Sequence, residues 1–276
     1  MSDQYAVIGN PIAHSKSPLI HAAFAKQTQQ AMHYEALLAP LDGFAATVQA
    51  LIEQGYKGVN VTVPFKFEAF QLANQHSARA IAAGAANTLS FNAQGIVADN
   101  TDGAGIVRDI EQNLGRSIVG KRVLLIGAGG AAGGVLQPLL AAKPSTLVIS
   151  NRSLDKAQRM VKKEAQSQIK LQACRFEDLK QQTFDIIINA TSAGLTDSPL
   201  AIPNSIFAQN CLAYDMMYGR ETPFMRQAKD HGAQVADGLG MLVEQAAEAF
   251  FIWRDIRPTT QAVMQHIRTH EKLATQ

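Results

Sequence analysis

Near the N-terminus, "GNPIAHSKSPLIH" sets Ser15 and Ser17 at alternate positions just before a helical stretch whose first turn suits Pro18. Two hydroxyls beside the free N–H groups of a helix start can hold a carboxylate; either can also serve simply as a cap. Further on, "GVNVTVPFK" (58–66) alternates Val59, Val61, Val63 and Phe65 with Asn60, Thr62, Pro64 and Lys66. That is the pattern of a strand with one apolar face, so Thr62 and Lys66 address either solvent or a ligand. "GAANTL" offers Asn87 and "DNTDG" offers Asp102, each of which alone reads as a turn or capping residue.

A more specific signal lies in "LLIGAGGAAGG", where Gly127, Gly129 and Ala132 satisfy G-x-G-x-x-[G/A] between a strand and a helix. The first glycine makes the tight turn, and the second lets the backbone approach a pyrophosphate at the positive end of the helix. The next strand ends in "ISNRS". An enzyme that grips the ribose hydroxyls of NAD is expected to carry an acid there, but this chain has Asn151 and Arg152. A guanidinium pairs bidentately with a 2′-phosphate, and Lys156 follows one turn later, so NADP is the expected cofactor.

Composition narrows the classes. With 276 residues, 47% of them apolar, the chain exceeds one compact core, and two domains are expected. The 25 basic and 23 acidic residues are spread without runs, for a net charge of +2, which argues against nucleic-acid and membrane partners. The start "MSDQYAVIGNP" lacks a signal-peptide pattern and no apolar run reaches bilayer length, so a cytoplasmic location is expected. Cys174 and Cys211 stand far apart without a CxxC pattern and read as reduced packing residues. His266 and His270, spaced i, i+4 on a polar terminal helix, lack a carboxylate partner and read as surface residues rather than metal ligands.

These residues need a scaffold. Strand-like "YAVIG" (5–9), "HYEALLA" (33–39) and "GVNVTV" (58–63) alternate with helical "SPLIHAAFAKQ" and "FAATVQALIEQ", which predicts βαβ units and a mostly parallel sheet. "NTLSFNAQGIVADN" predicts a hairpin turning at Asn92 to Gly95. "TDGAGIVRDIEQNLG" is helical in pattern. From "KRVLLIGAGG" onward, strands at "TLVIS", "FDIIINATSAG" (184–194) and "LAYDMMYG" (212–219) predict a doubly wound Rossmann-like unit. An α/β fold class is expected, with a substrate domain at 1–101, a nucleotide domain at 102–238, a cleft between them, and helices at 239–276 expected to pack back on the first domain.

The series "VIGNPIAHSKSPLIH", "VNVTVPFK", "GAANTL", "DNTDG", "GAGGAA", "NR", "NATSAG", "YDMMYG" and "DGLGMLVEQAA" resembles, in this order and over almost the whole chain, the NADP-dependent shikimate dehydrogenases. The resemblance implies a reversible reduction of 3-dehydroshikimate to shikimate in aromatic amino-acid biosynthesis. It implies that Ser15 and Ser17 hold the substrate carboxylate with help from Tyr218. Thr62, Asn87, Asp102 and Gln245 would bind ring hydroxyls, and Lys66 with Asp102 would be the catalytic pair. On the cofactor side it implies Gly127, Ala128, Gly129, Gly130 and Ala131 at the phosphates and Asn151, Arg152, Ser153 and Lys156 at the adenosine. Met216 and Gly238 would flank the nicotinamide. Two departures stand out: Ala78 falls where many relatives carry an acid on the helix after "VPFK", and Lys156 replaces a common arginine, keeping the charge without the fork. The related quinate/shikimate enzymes that accept NAD usually carry an acid after the second strand, and Arg152 argues against that variant. A non-catalytic NADP sensor of the same fold would lack the lysine or the aspartate, and both are present. A homodimer is compatible with the sequence.

Overall fold

The computed structural model of the chain describes residues 2–274. It forms two compact units: one takes the chain up to Gly105 and again from Leu242, and the other runs from Ile106 to Met241.

The first unit begins with β1 (Asp3–Gly9), α1 (Ser17–Gln27), β2 (Met32–Leu38), α2 (Phe44–Glu53) and β3 (Gly58–Val61). There follow α3 (Lys66–Leu72), β4 (Gln75–His76), α4 (Ala78–Ala83), β5 (Thr88–Asn92), β6 (Gly95–Asp99) and the start of α5 (Asp102–Arg108). Its sheet has the order β2-β1-β3-β5-β6-β4. β1 pairs parallel with β2 and β3, whereas the β5–β6 hairpin is antiparallel and joins β3 antiparallel. Helix periodicity explains the packing: Phe44, Val48 and Leu51 recur on one face of α2 and are buried. The Phe44 ring stacks on Phe65 at 4.9 Å, within a core that includes Ile8, Val59 and Leu89.

The strand expected over 58–66 stops at Val61. All four residues of β3 are buried because β1 and β5 flank it and both faces are covered, so polar Asn60 is only 6% exposed. Pro64 cannot donate to a ladder, the Phe65 N–H turns back to the Thr62 carbonyl at 3.0 Å, and Lys66 opens α3. Val63, an expected core residue, is 66% exposed. Ala78 lies not on the helix after "VPFK" but at the first position of α4, behind the Ser77 cap that accepts from the Ala80 N–H.

After a π-helical turn at Asp109–Asn113, the second unit holds β7 (Arg122–Ile126), α6 (Gly130–Ala141), β8 (Thr146–Ser150), α7 (Leu154–Lys163) and β9 (Lys170–Cys174). It continues through β10 (Phe184–Asn189), β11 (Phe207–Asp215), α8 (Pro223–Asp230) and β12 (Gln234–Ala236). Its six strands are all parallel in the order β12-β11-β10-β7-β8-β9. Successive residues of β7 serve opposite cores: Val123 and Leu125 pack with Val135 and Leu139 of α6, Leu124 and Ile126 with Phe184 and Phe224. Helices therefore cover both faces, which is why the strands read as continuous apolar runs. α9 (Leu239–Arg254) and α10 (Gln261–Ala274) are the last described elements. Among the described residues, no helix is long and apolar enough to cross a membrane.

Candidate active site

In the first unit, Lys66 stands at the first position of α3 and Asp102 at the first position of α5. Lys66 Nζ donates to Asp102 Oδ2 at 2.6 Å, and the carboxylate side chain is the more buried of the two. Asp102 Oδ1 accepts from Asn87 Nδ2 at 2.8 Å. The same amide donates to Gln245 Oε1 at 3.2 Å, and Gln245 is held in turn by its own bond to the Leu242 carbonyl. Lys66, Asn87, Asp102 and Gln245, far apart in the chain, form one hydrogen-bonded cluster. Asn87 Oδ1 accepts from the Thr101 N–H and the Thr88 hydroxyl, which fixes the orientation of the amide. Thr62 is half-buried, four residues before Lys66, with its N–H bonded to the Ile8 carbonyl. Its methyl group leaves no room for a side chain at residue 9, where a Cβ would lie 2.5 Å away.

Ser15 and Ser17 belong to the loop and first turn of α1. The Ser15 Oγ accepts from the Ser17 N–H at 3.3 Å, so Ser15 performs part of the capping while the formal cap position, Lys16, makes no side-chain capping bond. Ser17 is buried with its hydroxyl beside that of Tyr34. Tyr34 donates to Asn60 Oδ1 at 2.7 Å, and Asn60 Nδ2 donates to Thr88 Oγ1 at 3.1 Å. A continuous hydrogen-bonded chain thus runs from Tyr34 through Asn60, Thr88 and Asn87 to Asp102, with Ser17 beside its start. Sequence reasoning missed Tyr34, Thr88 and Thr101, and gave Asn60 no role of its own. The signal available was Asn60 itself, a polar residue inside a strand that is covered on both sides.

One ion-pair group holds this arrangement. Arg79 donates bidentately to Asp99 at 3.0 and 2.7 Å and reaches Glu248 at 2.7 Å, tying α4, the end of β6 and α9 together. Burial works against the charge on Asp99, but the bonds from Arg79 and Ser77 win and hold its carboxyl below the usual range. Asn100 to Asp102 leave directly from that anchored strand end.

In the second unit the strand order reverses between β7 and β10, and open parallel sheets place ligands beyond the carboxyl ends at such a point. A cleft of about 1180 Å³ is found there, lined by Gly127 to Ala131, by Asn151 and Arg152, and by Ala190 to Ala193. Gly127 has φ +112° and its α-carbon approaches the Ala190 backbone so closely that a Cβ would sit 3.2 Å from it. At Gly129, the cap of α6, a Cβ would meet nothing within 4 Å, which leaves the helix N-terminus open to a phosphate. Ala132 is fully buried, consistent with the small third residue of the motif. Asn151 is fixed by its amide bond to the Ser153 carbonyl, and the exposed Arg152 makes no hydrogen bond or ion pair among the described residues. Ser153 occupies the cap position of α7 without a side-chain capping bond, and Lys156 is exposed on the first turn.

Met216 and Gly238 follow β11 and β12. A Cβ at Gly238 would fall 2.2 Å from the Met216 carbonyl oxygen, so the close approach demands glycine. The Met216 N–H bonds the Asn189 carbonyl, and buried Asp215 gathers Asn189 Nδ2, the Thr222 hydroxyl and the Met217 N–H. Tyr218 is half-buried in the loop that this carboxylate anchors. Arg175 and Lys180 also line the cleft and were not foreseen. Among the described residues, no group of three or more His, Cys, Asp or Glu could hold a metal; His266 and His270 are exposed with rings 4.3 Å apart. Cys174 and Cys211 are free, and burial pushes the Cys211 thiol up to about 11.

Residues 7–89 match the shikimate dehydrogenase substrate binding domain, 109–196 the shikimate / quinate 5-dehydrogenase family and 238–268 the shikimate 5′-dehydrogenase C-terminal domain. The NADP(+)-dependent shikimate dehydrogenase of Methylobacillus flagellatus is 60% identical over 267 residues, 96% of this chain and 99% of that protein. Among solved structures, an Ael1 enzyme from Pseudomonas putida superposes with a TM-score of 0.93 at 50% identity, covering 96% of this chain and 98% of the other. A shikimate 5-dehydrogenase from Thermus thermophilus, solved with NADP(H) and shikimate, superposes with a TM-score of 0.86 at 29% identity, covering 97% and 99%. With a lysine–aspartate cluster in one unit, a Gly-rich nucleotide cleft in the other and homology along nearly its whole length, the chain belongs to the shikimate dehydrogenase family.

Proposed function

We propose that this protein is an NADP-dependent shikimate dehydrogenase, reducing 3-dehydroshikimate reversibly to shikimate in the cytoplasm for aromatic amino-acid biosynthesis. The observation that carries the reading is the 2.6 Å contact between Lys66 and Asp102 inside a cluster that also holds Asn87 and Gln245. The second unit fits NADP: an open helix N-terminus for the pyrophosphate and an uncommitted guanidinium for the 2′-phosphate. When bound, NADPH supplies the hydride.

The protein's own residues do the rest. The substrate carboxylate is held by the hydroxyls of Ser15 and Ser17. Thr62, Asn87, Asp102 and Gln245 read the ring hydroxyls, Asn87 by sharing an amide N–H. An ammonium has three donors, and Asp102 takes one, leaving Lys66 able to face the substrate oxygen. As the carbonyl carbon gains hydride, its oxygen gains charge, and Lys66 gives that oxygen a proton that solvent later restores. Such acid catalysis contributes roughly 10²- to 10⁴-fold. Asp102 fixes the direction in which the ammonium points. Gly127 to Ala131 cradle the phosphates; Asn151, Arg152, Ser153 and Lys156 hold the adenosine end, and Met216 and Gly238 border the nicotinamide. On this reading the unit up to Gly105 and from Leu242 serves the substrate and the other serves NADP.

Steady-state oxidation of shikimate and of quinate, each with NADP⁺ and with NAD⁺, tests the proposal. Shikimate with NADP⁺ should be the best pair by at least about tenfold in kcat/KM, the effect of roughly one charge-assisted hydrogen bond. Preference for quinate with NAD⁺ would overturn it.

A further inference from the structure

We propose that Arg175 is a second determinant of cofactor choice, supplying charge to the ribose 2′-phosphate from the strand beside the one that leads to Arg152. The inference rests on the NADP reading above and adds a residue to it. β8 and β9 are parallel and in register to their ends, Ser150 opposite Cys174, so Arg175 leaves one strand end where Asn151 and Arg152 leave its neighbour. The Asn151 N–H donates to the Cys174 carbonyl at 3.3 Å, which holds the two exits together. Neighbouring strands lie about 4.8 Å apart, and an arginine side chain spans more than that.

Arg175 and Arg152 line the same cleft. The Arg175 backbone is fixed, because its N–H donates to Asp178 Oδ2 at 2.9 Å. Among the described residues its guanidinium pairs only with Glu177, at 3.5 Å, and both side chains are more than half exposed. An exposed pair of this kind contributes little, so trading the carboxylate for a phosphate costs little. A 2′-phosphate carries up to about two negative charges, of which one guanidinium balances one. Glu177 lines the cleft too and competes with the phosphate for Arg175.

Calorimetric titration of the protein with 5′-AMP and with adenosine 2′,5′-bisphosphate isolates the 2′-phosphate. Arg175→Ala should weaken the bisphosphate by about three- to tenfold and leave 5′-AMP unchanged, with the difference shrinking as salt is raised. Glu177→Gln, which frees Arg175, should tighten the bisphosphate. An unchanged bisphosphate affinity in Arg175→Ala, or a loss shared equally by 5′-AMP, overturns the inference. A wild type that does not discriminate between the two ligands would instead bring down the NADP reading; discrimination lost in Arg152→Ala but kept in Arg175→Ala would sink this inference alone.

Discussion

Lys66 Nζ lies 2.6 Å from Asp102 Oδ2, across 36 residues of chain, and the carboxylate's other oxygen is occupied by the amide of Asn87. The aspartate is thereby held at both oxygens and cannot swing away from the lysine. The geometry makes Asp102 an orienting group first. It also makes the two side chains one unit, and units of this kind do not lose activity piecewise.

The loss in Asp102→Asn combined with Lys66→Ala should therefore be close to that of the worse single variant. Measuring kcat/KM for shikimate oxidation in the two singles and the double checks this. Losses that simply multiply would show that the pair does not act together.

Ser15→Ala with Ser17→Ala should raise KM for shikimate about tenfold or more, as expected when hydrogen bonds to a charged group are lost, and change KM for NADP⁺ little. Because Ser15 also accepts from the Ser17 N–H, a thermal melt of the same variant separates substrate binding from capping. Unchanged shikimate affinity with a lowered Tm would leave the serines only their capping role.

Arg152→Ala should weaken NADP⁺ by roughly ten- to a hundredfold, since a hydrogen bond to a charged group is worth about 1.5–3 kcal/mol. NAD⁺ has no 2′-phosphate to lose, so its kcat/KM should hold. Equal losses for both cofactors would mean that Arg152 acts elsewhere.

How much of this was legible in the sequence depended on whether the signal was local. Gly127, Gly129 and Ala132 announce a turn, an open helix end and a tight packing position that depend on near neighbours, and all three stand as the spacing implies. The β5–β6 hairpin likewise turns between Asn92 and Gly95. What failed were inferences about which faces are covered. Alternation in "GVNVTVPFK" implied a polar face open to solvent or a ligand, yet β3 lies between β1 and β5 and Asn60 is buried in the polar chain that leads to Asn87. Strand order is a non-local property, and so was the exit of Arg175 beside Arg152, since "KLQAC" carries no motif. The link from Tyr34 to Asp102 needed tertiary contacts to be seen.

That buried polar chain has a neighbour with a pH signature. His21 is fully buried, its ring stacked on Tyr34 at 4.1 Å, and among the described residues neither ring nitrogen has a hydrogen-bond partner. Burial pushes its imidazole down to about 3, against a smaller opposing pull from the nearby Asn60 side chain. The folded state therefore refuses a proton that the unfolded chain accepts near pH 6.5. The stability linked to this group is complete above that pH and is lost as pH falls toward 3, reaching about 3 kcal/mol of loss by pH ~4. Urea unfolding should show that the unfolding free energy lost between pH 7 and pH 4 is smaller by about that amount in His21→Leu than in the wild type, a shallower dependence on pH. Equal slopes in the two proteins would contradict the account.

The most direct test of the central claim is shikimate turnover and shikimate binding in Lys66→Ala. The lysine interacts most strongly with charge that exists only as hydride arrives, so kcat should fall by roughly 10²- to 10⁴-fold while the shikimate dissociation constant changes only a fewfold. Near-normal kcat in a folded Lys66→Ala protein would remove Lys66 from the chemistry and contradict the account.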